Sequence, residues 1–362
     1  MNKKKFKILA IDGGGIKGIF PAKLLTLLED DLATRTDGKT KVYQHFDLIT
    51  GTSTGGIIAL ALSLGIPAKE IYNLYLDNAK KIFGNKKPLF LGHKKPFLLG
   101  QVFNSAHNRS YLENLVREKF KDANNGKEPR LNDCKTDVCI PIYDLVKGNP
   151  SVLKTPYHPS LNRDFHIPAY QAAMATSAAP TYFDPFTAEY LDLNGTIQDF
   201  SNKVDGGVMA NNPTLVAFIE AIKAFKVDIS DLEIFSIGTG YRRFTDNNTL
   251  KKKTFITSIL GRKKRWGLKY WMVKDKRKRL IELFMQSQSQ LVANYISLLH
   301  QGIDKSENET PNFVYDRIDV LLNEESNIEM DEFDTNRIKN FAELASVEYQ
   351  EHRTKILTNY FY

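Results

Sequence analysis

Residues 51–56 read Gly-Thr-Ser-Thr-Gly-Gly, after the apolar run Phe46–Thr50 and before the nearly all-apolar stretch Gly56–Leu64. A serine centred in G-x-S-x-G between a buried strand and a helix is the pattern of a nucleophile elbow. Gly51 and Gly55 stand two residues either side of Ser53, where side chains would obstruct a sharp turn. The helix that follows offers amides without intrahelical partners, and these favour developing negative charge. The expected chemistry is attack by the Ser53 hydroxyl on an electrophilic carbon, which needs a base and donors for an oxyanion. The competing reading of the same residues is a tight turn leading into a core helix.

The donors can come from ILAIDGGGIKG, residues 8–18. Gly13, Gly14 and Gly15 carry no side chains to block approach, so successive amides can converge on an oxyanion, and Lys17 adds positive charge. Gly13, Gly15 and Gly18 also fit the dinucleotide spacing G-x-G-x-x-G. That reading requires a second strand ending in an acid about 20 residues on. Glu29, Asp30 and Asp31 fall instead at the end of an amphipathic helical pattern, and the next strand runs into the turn of Ser53. The dinucleotide match is therefore weak, and no G-x-x-x-x-G-K-[ST] loop occurs.

The base is harder to find. None of the seven histidines lies in a glycine-rich turn or beside a strand end near another motif. A third glycine-bearing block, VDGGVMANNP at 204–213, carries a carboxylate, Asp205, immediately before Gly206 and Gly207. Taken alone, it reads as a β-turn.

In order, DGGGIKG, GTSTGG, ATSAAPTYF (175–183) and DGG (205–207) resemble the patatin-like phospholipases across residues 7–240. The resemblance implies a three-layer α/β/α fold with a central, mostly parallel sheet, related to cytosolic phospholipase A2. It implies a Ser–Asp dyad without histidine: Ser53 as nucleophile, Asp205 as base, Gly13, Gly14 and Gly15 as the oxyanion hole. Lys17 stands where the family has arginine, keeping the charge and losing the planar fork. The implied reaction is phospholipid ester hydrolysis through an acyl-enzyme, with no metal or cofactor. Acyl transfer to an alcohol, or a non-catalytic lipid- or nucleotide-binding module, are the alternatives. Some patatin-like proteins of bacterial anti-phage systems are switched on by cyclic nucleotides, so a cyclic-nucleotide activator is a candidate partner.

The elements that must position these residues are legible as periodicity. Phe6–Ile11, Phe46–Thr50, Val138–Tyr143 and Glu233–Ile237 read as buried strands, and Ile19–Leu32 and Gly56–Leu64 as helices. Strand–helix alternation predicts an α/β fold with helices on both faces. The expectation is a single domain over 1–362, with core motifs in 7–240 and a basic, helical portion over 241–362. Residues 84–108 read as an irregular excursion, 301–311 as a polar loop, and the last ~50 residues as helical.

Apolar residues make up 42% of the 362, too many for a disordered chain. Cys134 and Cys139 have no second metal-binding pair and read as ordinary thiols. The N-terminal apolar run is too short for a secretory leader, and no stretch approaches a membrane span, so the expected location is cytoplasmic and peripheral at the inner membrane face.

The net charge of +8 is concentrated: residues 251–279 hold 13 Lys/Arg and one Asp, leaving about −4 elsewhere. Within that segment Trp266, Tyr270 and Val273 recur at helical spacing. Arg262, Lys263, Lys264, Arg265, Trp266 and Trp271 are candidates to contact anionic lipid or an anionic ligand. A helix docked through its aromatics is the competing reading. No reader motif suggests nucleic acid, and nothing in the sequence sets the oligomeric state.

Overall fold

A computed structural model of the chain describes residues 4–84, 107–243, 279–302 and 312–362. Its centre is a seven-stranded sheet. Five strands run parallel in the order β3 (Asp137–Asp144), β2 (Leu48–Gly51), β1 (Phe6–Ile11), β8 (Leu232–Ile237) and β9 (Val314–Ile318). Two antiparallel strands join β3: β4 (Asn149–Lys154) and β7 (Lys203–Asp205). A separate hairpin pairs β5 (Glu189–Leu191) with β6 (Ile197–Asp199).

The central strands are apolar on both faces because helices cover both, as parallel sheets require. Successive residues point into different cores. Leu9, Ile49 and Phe235 enter one core with α1 (Ile19–Leu32), α2 (Thr54–Ser63), α3 (Ala68–Phe83) and the long last helix. Ile8, Leu48 and Ile234 enter the other, with Ala217, Phe218, Val292 and Ile296 of the two helices on the opposite face. The expected three layers are present. Two further helices, α4 (Ser110–Ala123) and α5 (Ala169–Thr176), pack together beside the first core.

Register places the site. Ile11 pairs with Gly51 and with Ile237, so the glycine loop, the serine turn and the β8 exit all leave one edge of the sheet. Asp205 pairs with Ile142 of β3, bringing the carboxylate to that edge from the antiparallel direction. The remaining helices are α6 (Gly207–Ala210), α7 (Thr214–Lys223), α8 (Arg279–Gln301) and α9 (Thr335–Tyr360).

The last fifty residues are not wholly helical. Val-Tyr-Asp-Arg-Ile at 314–318 extends the sheet as its outermost parallel strand, paired with β8. Two charges in five residues disguise it as a surface segment, and both are used inside the fold. Among the described residues no helix is long and apolar enough to cross a membrane. Almost all of the 84–108 excursion and the 301–311 loop fall outside the described residues. So do Arg262, Lys263, Lys264, Arg265, Trp266, Tyr270, Trp271 and Val273.

Candidate active site

Ser53 has φ 56° and ψ −122°, a backbone conformation worth on the order of 1–3 kcal/mol of strain for a residue with a Cβ. Its surroundings fix it there. The Ser53 amide donates to Thr176 Oγ1 at 3.1 Å, and the Thr52 hydroxyl donates to the Ala210 carbonyl at 2.6 Å. The Thr52 and Gly55 amides donate to the carbonyls of Ile11 and Thr52. A Cβ on Gly51 would stand 2.0 Å from the Gly55 carbonyl oxygen, and one on Gly55 would stand 2.3 Å from that of Ile11. Glycine at both positions is a steric requirement of strand and helix crossing this closely.

Asp205 ends β7 and is buried. Its Oδ1 accepts the Gly207 amide at 2.6 Å. The Ser53 hydroxyl is the side chain that interacts with this carboxyl. Its Oδ2 is sealed from solvent, and no donor among the described residues meets it in full hydrogen-bond geometry. Bonds between base and nucleophile are commonly long without substrate and tighten in the complex. Burial pushes the Asp205 pKa up to about 7, and the Ser53 and Gly207 bonds hold it below what burial alone would give.

Thr176 ties serine and aspartate together. Besides receiving the Ser53 amide, its hydroxyl donates to the Pro141 carbonyl at 2.7 Å, and its own carbonyl accepts the Gly206 amide at 3.2 Å. The Asp205 amide donates to the Ala178 carbonyl at 3.1 Å. The block ATSAAPTYF, visible in the sequence only as a marker, is therefore the brace between nucleophile and carboxylate.

The glycine loop corrects one expectation. The Gly13 amide donates to the Asn211 carbonyl at 2.9 Å, so it is engaged and does not face a reacting oxygen. The Ile16 and Lys17 amides are also bonded, to Met330 and Gly14. Among the described residues, the amides of Gly14 and Gly15 have no acceptor. Gly15, at φ 60°, shares a cavity wall with Ser53. Lys17 does not line that cavity; it lines a polar one of about 60 Å³ with Asp12, Gly13 and Gly14. The expected charge beside the oxyanion is thus displaced behind the loop.

A buried ion network that no motif announced holds the loop. Arg317 of β9 grips Asp12 through both guanidinium nitrogens, at 3.1 and 2.7 Å, and also donates to Asp319 at 2.6 Å and Ser236 at 2.7 Å. Burial raises the Asp12 pKa, and the guanidinium opposes this and holds the carboxylate charged. The Gly13 carbonyl accepts the Thr239 hydroxyl at 2.7 Å and the Asn211 side-chain Nδ2 at 3.4 Å. The one sequence clue was an Arg inside a strand-like pattern.

Two apolar cavities flank the pair. Ser53 opens on one of about 50 Å³ with Ile57, Phe83 and Leu112. Asp205 opens on one of about 330 Å³ with Val208, Ile281 and Phe284. Ala179, Tyr182 and Met330 belong to both walls. No histidine among the described residues lines either cavity. His107, the buried one, pairs with Asp331 at 3.0 Å. The arrangement suits an ester with a long apolar acyl group: a hydroxyl nucleophile, a carboxylate of near-neutral pKa, and the Gly15 amide at an apolar channel with the Gly14 amide next to it in the loop.

The chain matches the family model described as patatin-like phospholipase over residues 9–218. It is 31% identical to the cGAMP-activated phospholipase of Escherichia coli (strain TW11681), over 100% of this chain and 94% of that protein. It is 35% identical to the cGAMP-activated phospholipase of Vibrio cholerae serotype O1, over 66% of this chain and 65% of that protein. It is 29% identical to Patatin-like protein 2 of Oryza sativa subsp. indica, over 84% of this chain and 75% of that protein.

Proposed function

The chain belongs to the patatin-like phospholipases, and from that premise we propose that Ser53 and Asp205 hydrolyse phospholipid esters by way of an acyl-enzyme. The protein is a serine hydrolase acting on lipid acyl esters. The observation that carries the dyad assignment is the strained Ser53 beside a buried carboxyl whose second oxygen awaits a donor.

The steps follow from those positions. Asp205 takes the hydroxyl proton as Ser53 Oγ attacks the ester carbon. The tetrahedral oxyanion sits under the Gly14 and Gly15 amides, where one lost donor costs on the order of 10²–10³ in rate. The C–O bond to the glycerol side breaks, and Asp205 returns its proton to that oxygen. Water then attacks the acyl-serine, giving a proton to Asp205; the fatty acid leaves and Oγ regains a proton. An ordinary aspartate, with pKa ~3.9, accepts a hydroxyl proton poorly. Burial at position 205 makes this one a base suited to neutral pH.

Activation by a cyclic nucleotide is extended to this chain from the two relatives that bear that description. The motif-bearing core and the C-terminal elements are taken as one catalytic unit, because β9 supplies Arg317 to the glycine loop and α8 supplies a wall of the larger cavity. The substrate is phospholipid presented in a membrane, reached peripherally.

The test is fatty-acid release from phospholipid by purified protein, with and without cGAMP, for the wild type and Ser53→Ala. Release by the wild type and none by the variant is expected, with cGAMP raising the former. Equal release by both overturns the reading.

A further inference from the structure

Helix α8 carries two parallel apolar stripes, and only one is covered. Ser289, Val292 and Ile296 are buried, the last two in the core under the sheet. A second stripe runs beside it, through the residues just before Val292 and Ile296: Phe284, Leu291, Tyr295 and Leu298, at i, i+7, i+11 and i+14, are 48–65% exposed. From Leu283 to Gln301 the helix has no Lys, Arg, Asp or Glu. A solvated helix ordinarily turns charged residues outward, and a contiguous apolar face marks an interaction surface.

We propose that this face of α8 docks on an anionic phospholipid surface. The inference rests on the phospholipase reading and adds to it the surface by which substrate is approached. Two observations choose lipid as the occupant. The stripe is continuous with the site: Phe284 and the exposed Val208 both line the cavity that reaches Asp205, so a bilayer against α8 would meet the channel mouth. The charge is also complementary, because the chain enters α8 directly from residues 251–279, of net charge +12. A strongly basic run next in sequence to an apolar helix face supplies the electrostatic half of the two-part attraction of interfacial helices to anionic lipid.

The test replaces Leu291, Tyr295 and Leu298 together by Gln, sparing Phe284 because it lines the cavity. Two quantities are read with and without cGAMP: co-sedimentation with phosphatidylglycerol vesicles and with phosphatidylcholine vesicles, and turnover of a soluble short-chain ester. The wild type should bind the anionic vesicles more tightly. The triple variant should lose about tenfold or more of that binding and keep its soluble-ester turnover and elution volume. Unchanged vesicle binding overturns the proposal. So does a variant that changes only from dimer to monomer, since a second copy of the chain is then the occupant. Vesicle binding is also measured on Ser53→Ala, so a wild type inert on every ester would count against the phospholipase reading while docking is still decided.

Discussion

The motif-bearing core, residues 9–218, and the C-terminal elements around it are built on opposite terms. The core keeps unfavourable features: Ser53 at positive φ, a buried Asp205 with an unmet oxygen, and two amides without acceptors among the described residues. The C-terminal elements brace it through closely paired groups. Arg317 bonds two carboxylates and a hydroxyl, and the Tyr360 hydroxyl reaches both the Ile234 carbonyl and Asp316. The strain at Ser53 and the unmet oxygen of Asp205 lie where reacting atoms must be received, and the paired groups around the glycine loop hold that geometry. Substitutions in the core should therefore remove activity with little loss of stability, whereas those in the C-terminal support should lower both.

The sharpest contrast is at the dyad. Ser53→Ala and Asp205→Asn should each lower kcat on soluble and vesicular esters by about 10⁴-fold, with unfolding midpoints no lower than wild type. A drop in midpoint matching the drop in rate would erase the distinction between the two regions.

Stability should also move with pH through Asp205. Its folded pKa, about 7, is raised above the unfolded value, so the folded state holds a proton the unfolded chain releases. That contribution is complete below pH ~4 and is lost as pH rises through about 7. A shift of this size corresponds to up to ~4 kcal/mol, so Asp205→Asn should be more stable than wild type at pH 8 by roughly half of that or more. The gain should shrink toward pH 4. The wild-type kcat/KM should rise with pH over the same interval, as the base ionises. Denaturant titrations at the two pH values, with a pH–rate profile, check both.

On the supporting side, Arg317→Lys keeps one charge but cannot span Asp12, Asp319 and Ser236 together. A roughly 10²-fold loss in kcat with a lowered melting temperature is expected. Full activity would mean the glycine loop holds its shape without β9. The smallest effect belongs to Thr176→Val, which removes the acceptor of the Ser53 amide but preserves side-chain shape. About tenfold in kcat, with KM unchanged, is expected from one hydrogen bond. A change in KM alone would place Thr176 with substrate binding instead of serine positioning.

How far these features could be read in the sequence follows the range of the interactions that make them. The serine elbow is local: strand, glycines and helix lie within twenty residues, and its steric logic is complete there. Four of the parallel strands and the first helices show for the same reason, as uninterrupted apolar runs. Asp205 was visible only through the family resemblance, because a DGG turn has no local mark of being a base. The engagement of Gly13 depends on a carbonyl 198 residues away, and the brace through Thr176 joins positions 123 apart. Strand β9 was hidden by Asp316 and Arg317, whose partners Tyr360, Asp12 and Asp319 are supplied by the fold. The outward stripe of α8 was likewise indistinguishable from core periodicity until the rest of the sheet showed which stripe was covered.

The central claim, that the carboxyl of Asp205 activates the hydroxyl of Ser53, is tested most directly by covalent labelling. Intact-mass measurement after a fluorophosphonate pulse should show one adduct on the wild type, mapped to Ser53, forming faster as pH rises through about 7. Asp205→Asn should label slowly and without that pH dependence, and Ser53→Ala should not label at all. An adduct mapped to another residue, or an Asp205→Asn protein labelled at the wild-type rate and pH profile, would contradict the account.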